Sequence, residues 1–330
     1  MFLSESMIHP RVLIVVPGSI NYFYNQLGRR VAETLRSFGS TVEVVTLAAV
    51  PDGDYDLCLV SNIYEAAVAY GNEDEAVELF EALREKVGRL FVLGMESTGT
   101  SWFGHNVEIA RKVGAERILD FGIWDQTADT RGDYQDIYRF VFNGLTPSEE
   151  RLVRGAPSDD GRSFPWAFIG HQVHHRATLV DFLVRAVDPG GFVYLPTLTH
   201  CAEKGSPHLN QQQFEGVLSH TRFQVWCTHH ERFYMEGERF RASLLTGGVG
   251  VKVVGSLAEV PDGIPYHNLV MTAADLPIRL TADEFLILRD RFRAEALALP
   301  TLAESLSEVF THADEEKGVH NGRPCETASL

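Results

Sequence analysis

The strongest constraint on this chain is a recurring alternation. Short runs dense in β-branched residues are followed by segments with apolar residues at helical spacing. RVLIVVP (Arg11–Pro17) is continuous in its apolar character, as a strand buried on both faces must be. Leu27, Val31, Leu35 and Phe38 then recur every three or four residues, Gly39 supplies a stop, and TVEVVTL (Thr41–Leu47) gives the next strand. Strand, helix and strand in under forty residues make a βαβ unit and predict a parallel sheet. The series continues with strands at Tyr55–Ser61, Arg89–Gly94, Arg117–Phe121 and Tyr138–Asn143. A helix is expected behind the acidic opening NEDE, which suits the helix dipole, and another over Asn106–Val113.

A stretch rich in Pro, Gly, Ser and charge then interrupts the pattern, and Gly155–Ser163 reads as a linker. The alternation resumes with strands at Trp166–Gly170, Gly191–Leu195, Phe223–Cys227, Val249–Val254 and Asn268–Met271. Helices are expected over Ala177–Val187, Gln211–His220 and Arg239–Leu245, and Thr281–Phe310 reads as one or two helices broken at Pro300. The expected architecture is α/β: two Rossmann-like domains facing each other across a cleft. The first spans 1–154 and the second 164–311, with a disordered tail over 312–330. A chain of 330 residues suits two such units. In open α/β sheets the ligand sits at the carboxyl ends of the strands, so a site between the halves is expected.

Charge narrows the partners. With 29 basic and 45 acidic residues the formal charge is −16, which argues against nucleic acid or an anionic membrane surface. No apolar run reaches membrane-spanning length, and MFLSESMIHP lacks the basic start and apolar core of a signal peptide, so a cytoplasmic setting is expected. The four cysteines form no CxxC pair, and Cys58 reads as a buried thiol.

Three segments carry candidate chemistry. The first βα turn, PGSINYFY, lacks GxGxxG, which weakens a dehydrogenase reading; its Ser19 and Asn21 suit a hydroxyl-bearing ligand. In FIGHQVHHR, Gly170 allows a tight exit from a strand, and Arg176 opens a helix where an anion would be held, with His171 close by. In HHERFYMEGERFRASLLTGGVGVKVV, Glu231, Glu236 and Glu238 precede or open a helix. Arg239 and Arg241 lie in its first turn, and Gly247 and Gly248 end it. Carboxylates there suit sugar hydroxyls, while arginines and helix amides suit phosphates. Exposed Glu–Arg pairing is the competing reading. The histidines raise a zinc-hydrolase alternative, but HExxH is absent and His171, His174 and His175 lack a carboxylate partner, so no metal is expected.

ERFRASLLTGGVGVKVV resembles the donor-binding segment of GT-B glycosyltransferases, of the CgeB-like, family-1-like and protein O-glucosyltransferase types. Arg239, Phe240, Leu244, Leu245, Gly248, Val249 and Lys252 carry the likeness. FIGHQVHHRATLVDFLV resembles the start of the carboxy-terminal GT-B domain, and the segment from Arg11 to Leu47 resembles the opening of the amino-terminal one. The chain departs from the E-x7-E pattern of many GT-B enzymes: Glu231 and Glu238 have six residues between them.

The resemblance implies transfer of a sugar from a nucleoside-diphosphate sugar, a co-substrate, to an acceptor hydroxyl, with no cofactor and no bound metal. Gly170, His171, Arg176, Glu238, Arg239, Arg241, Gly247 and Gly248 would bind the donor; Ser19 and Asn21 would face the acceptor. A base is expected from the first half, with Glu96, His105 and Asp125 as candidates. The alternative is a nucleotide- or sugar-binding protein on the same scaffold, without turnover.

Overall fold

A computed structural model describes residues 10–19, 22–122, 134–155, 161–197, 207–228 and 233–310. The first half holds β1 (Arg11–Val16), α1 (Tyr22–Ser37), β2 (Thr41–Thr46), β3 (Tyr55–Ser61), α2 (Ile63–Tyr70), α3 (Glu73–Glu85), β4 (Val87–Gly94), α4 (Ser101–Lys112), β5 (Arg117–Asp120) and β6 (Tyr138–Phe140). Its six strands pair in parallel in the order β2-β1-β3-β4-β5-β6. After α5 (Pro147–Gly155) come β7 (Phe164–Ile169), α6 (His174–Phe182), β8 (Phe192–Tyr194), α7 (Gln211–Ser219), β9 (Thr221–Cys227), α8 (Gly237–Leu245), β10 (Val249–Val253), β11 (Val270–Met271) and α9 (Ala282–Ala298). The second sheet is also parallel, in the order β11-β10-β9-β7-β8.

Read from the other edge, the second sheet repeats the strand order of the first five strands of the first. Each half therefore has one point where the order reverses: between β1 and β3, and between β7 and β9. Connections leave those neighbouring strands on opposite faces, opening a crevice at their carboxyl ends. The apolar runs do what their composition requires. Leu13, Ile14, Val15, Cys58, Leu59 and Val60 are fully buried in the first sheet, and Trp166, Phe223, Val249 and Val251 in the second.

Element boundaries shift from the sequence expectation where caps or aromatics intervene. α1 begins at Tyr22 rather than Leu27, so the last three residues of the expected loop, Tyr22–Tyr24, are helical. α4 begins at Ser101, where Thr100 caps the amide of Phe103. α2 has no strong amphipathic pattern and is closed by Gly71 in the left-handed region.

The end of the chain returns to the first half. Residues 302–310 are helical, and Leu302, Leu306, Val309 and Phe310 pack with Ile14, Leu59, Phe91 and Leu93 of the first sheet. That segment lies within the 164–311 span read as the second unit. Two chain crossings thus join the halves, and they run in contact: Leu302 donates its amide to Leu145 at 3.1 Å. Gly144 is required there, because a Cβ would lie 2.1 Å from the carbonyl oxygen of Pro300. No helix among the described residues is long and apolar enough to cross a membrane.

Candidate active site

Buried polar side chains gather near the two reversal points, at the carboxyl ends of the sheets. In the first half, Ser19 follows β1 and Glu65 sits in the first turn of α2 after β3; the Ser19 hydroxyl donates to the Glu65 carboxylate at 2.8 Å. One strand further, Glu96 follows β4 and accepts a hydrogen bond from the phenol of Tyr24 on α1. Burial pushes the Glu96 carboxyl up to about 7; the Tyr24 hydrogen bond acts against this, and the neighbouring Glu65 charge adds to it. Burial and the Glu96 charge push the Tyr24 phenol well above its usual range, so Tyr24 stays a donor.

In the second half, Arg176 of α6 spans the reversal point. Its guanidinium donates to the carbonyl of Cys227 at the end of β9 at 3.2 Å and reaches towards the carbonyl of His171, after β7, at 3.5 Å. Gly170 leaves room for it, since a Cβ at that position would lie 3.0 Å from Nη1 of Arg176. The Nε of Arg176 is buried and has no hydrogen-bond partner among the described residues. Arg239, in the first turn of α8, donates to the carbonyl of Ile169 at 3.0 Å and lies 3.5 Å from Glu236. Glu236 precedes α8 in the left-handed region (φ 53°) and receives Lys252 of β10 at 2.7 Å.

Burial pushes the Glu236 carboxyl up, but Lys252, Arg239 and Arg176 together hold it below the usual carboxylate range. Burial lowers Lys252, with Glu236 opposing it. α8 starts without a side-chain cap, so the positive end of its dipole points at the same place. Tyr234 lies between the halves: burial raises its phenol, and both Glu236 and Glu96 raise it further.

The sequence-expected residues divide accordingly. Ser19 and Glu96 share Glu65 as a neighbour on the first side; Gly170, His171, Arg176 and Arg239 meet on the second. His171 also lies with its Nε2 at 2.7 Å from Nε2 of His208. Three expectations place residues that the structure does not bring to these two groups. His105 sits on α4 with its side chain 49 % exposed, stacked on Tyr64 and 4.0 Å from Glu108.

Glu238 and Arg241 pair with each other in a cluster that joins the halves. Arg241 also binds Glu149 of α5 at 2.6 Å and Gln26 of α1 at 2.7 Å, and Arg30 of α1 binds Glu149 at 2.9 Å. Asn143 donates to Glu238 at 3.1 Å. Their charges are thus paired within this cluster rather than turned towards Arg176 and Arg239. Gly247 and Gly248 lie at the opposite end of α8, where their amides donate to Leu244 and Ser243 as a helix cap. Asn21, Asp125, Glu231 and the 312–330 tail lie outside the described residues.

Tyr24, Glu65 and Tyr234 were not singled out from sequence. Lys252 was legible in principle as more than part of a likeness, since a lone lysine inside the β-branched run VGVKVV must be paired once that strand is buried. Among the described residues, no group of three or more His, Cys, Asp or Glu is placed to hold a metal ion.

No protein-family model matches the chain, and no curated protein is similar to it. Solved structures are similar in fold. An alpha-glucosyltransferase in complex with UDP and a 13-mer DNA containing an HMU base aligns over 94% of this chain and 100% of its own, with a TM-score of 0.53 and 12% identity. A second structure of an alpha-glucosyltransferase with UDP and such a DNA gives a TM-score of 0.55 at 10% identity, over 94% and 99%. The fold, two parallel sheets with interleaved helices, is thus shared with these alpha-glucosyltransferase structures.

Proposed function

We propose that the protein is a glycosyltransferase that moves a sugar from a nucleoside-diphosphate sugar to an acceptor hydroxyl. The observation that carries this reading is the pairing of two unlike sites. An arginine spanning the β7–β9 reversal point, whose Nε has no partner among the described residues, stands at the carboxyl end of one sheet, a carboxyl group of raised proton affinity stands at that of the other, and Tyr234 acts on both. Arg239, 19 % exposed, would contact the diphosphate, and Arg176 would supply charge from beneath it. In the transfer, the bond between the anomeric carbon and the diphosphate oxygen breaks. A bond to the acceptor oxygen forms, and the hydroxyl proton passes to Glu96. The arginines and the start of α8 stabilise the negative charge gathering on the departing diphosphate.

The DNA bound by the similar alpha-glucosyltransferase is not carried over as acceptor, because a net charge of −16 opposes a polyanion. A neutral acceptor with a free hydroxyl fits the Ser19, Tyr24 and Glu96 side better.

The test is melting of the purified protein with a panel of nucleoside diphosphates, followed by donor hydrolysis and transfer. Stabilisation by at least one diphosphate is expected, and it should vanish in Arg176→Ala and Arg239→Ala. No stabilisation by any of them would overturn the donor site. Stabilisation without turnover, with acceptors supplied, would favour a binding protein.

A further inference from the structure

Lys252 is fully buried in a strand whose other residues are valine and glycine. Its ammonium lies 2.7 Å from Glu236, with the rings of Phe233 and Tyr234 at 5.6 and 5.8 Å. A buried ammonium remains charged only beside an anion, and a buried carboxylate only beside a cation, so each fixes the state of the other. Glu236 is not confined to that partner. Its second oxygen faces Nε of Arg239 at 3.5 Å, longer than its contact with Lys252, and Arg176 also acts on its charge. The carboxylate is therefore an internal anion beside the two arginines that the donor reading assigns to the diphosphate. In charge it is what a phosphate would be.

We propose that Lys252 is a positioning residue for the donor site: it occupies Glu236, and so leaves Arg239 and Arg176 to bind the diphosphate rather than an internal carboxylate. This rests on the donor reading above. The count of charges shows why it matters. Lys252, Arg176 and Arg239 against Glu236 leave three minus one, a surplus of two positive charges for a ligand carrying two to three negative ones. Without Lys252 the surplus falls to one, and Glu236 closes on Arg239. Without Glu236, the isolated Lys252 loses its proton, and the arginines keep their surplus of two. Lys252 itself touches no substrate in this scheme.

The experiment measures affinity for the nucleoside diphosphate that the wild type binds best, by titration calorimetry on the full chain, with melting curves to show that each variant is folded. Lys252→Met is expected to weaken binding at least ~10-fold, the effect of one unit charge at close range in a partly buried site. Glu236→Gln is expected to bind at least as tightly as the wild type. The double variant Lys252→Met with Glu236→Gln should return to within ~3-fold of it. The double variant keeps the test alive if Lys252→Met does not fold, because two neutral side chains leave no unpaired buried charge. Unchanged affinity in folded Lys252→Met overturns the proposal and leaves the donor site standing. So does a loss of ~10-fold or more in Glu236→Gln, which would make Glu236 a direct ligand contact, or in the double variant. A wild type that binds no diphosphate overturns the donor reading, and this proposal with it.

Discussion

Glu96, the base of the proposed transfer, sits in surroundings that oppose its charge. Its carboxyl sits at about 7 instead of the ordinary 4.5, chiefly through burial. The shift makes it a better proton acceptor near neutral pH, and it also has a cost in stability. Between 4.5 and about 7 the folded protein holds a proton that the unfolded chain has released, so stability falls as pH rises through that window and is level above it. At pH 8 the penalty approaches about 3 kcal/mol, as an order of magnitude. Glu96→Gln keeps an acceptor for Tyr24 and removes the titration. It is expected to lower turnover by about 10²–10⁴, and to melt higher than the wild type at pH 8 but close to it at pH 4.5. Wild-type turnover should rise through pH 7. Urea unfolding of both proteins at the two pH values checks the sign, and a variant that is less stable than the wild type at pH 8 would show that Glu96 is not held against its charge.

At the scale of elements, α8 shows what the sequence discloses and where it stops. The helix and its flanking strand are legible, because apolar spacing and β-branched runs are local properties. Which arginine the proposed donor site would use is not. Arg239 and Arg241 are two residues apart, about 200° around a helix, so they cannot serve one phosphate. That geometry was available from spacing alone. Choosing between them needed partners 70 to 215 residues distant: the Ile169 carbonyl for Arg239, and Glu149 and Gln26 for Arg241. Gly247 and Gly248 are likewise set apart from Arg239, since a nine-residue helix separates its two ends by about 13 Å.

The assignment of Arg241 predicts its behaviour. Arg241→Met leaves Glu238 without its main partner and Glu149 with Arg30 alone, and breaking a buried ionic cluster costs about 3–5 kcal/mol. Denaturant titration should show that loss, while diphosphate affinity in the folded protein stays within ~3-fold of wild type. A selective loss of affinity with stability intact would return Arg241 to the donor site.

At the scale of the whole molecule, the proposed transfer needs two halves held in register. Glu96 and Arg239 belong to different sheets, so their relation depends on how the halves meet. Three features fix it. The ion cluster around Arg30, Glu149 and Arg241 joins α1, α5 and α8; the helical segment 302–310 ties the end of the chain into the first core; and the two crossings touch at Gly144. The last is the most sensitive to a small change. A methyl group at 144 would meet the carbonyl oxygen of Pro300 at 2.1 Å and backbone atoms of Thr301 and Leu302 at 2.6 and 2.7 Å. These neighbours are main chain, so a rotamer change cannot relieve the contact; one crossing must move relative to the other. Overpacking of that kind costs about 1–3 kcal/mol, and here the displacement is transmitted to the halves themselves.

Gly144→Ala is therefore expected to separate binding from transfer. The second half keeps its arginines and its helix start, so diphosphate affinity measured by calorimetry should change little. Transfer needs Glu96 at the right distance from the donor, and turnover should fall at least ~10-fold, since misplacement by about 1 Å can cost far more than that. Wild-type turnover in Gly144→Ala, with an unchanged melting temperature, would mean that the crossings do not set the register of the halves.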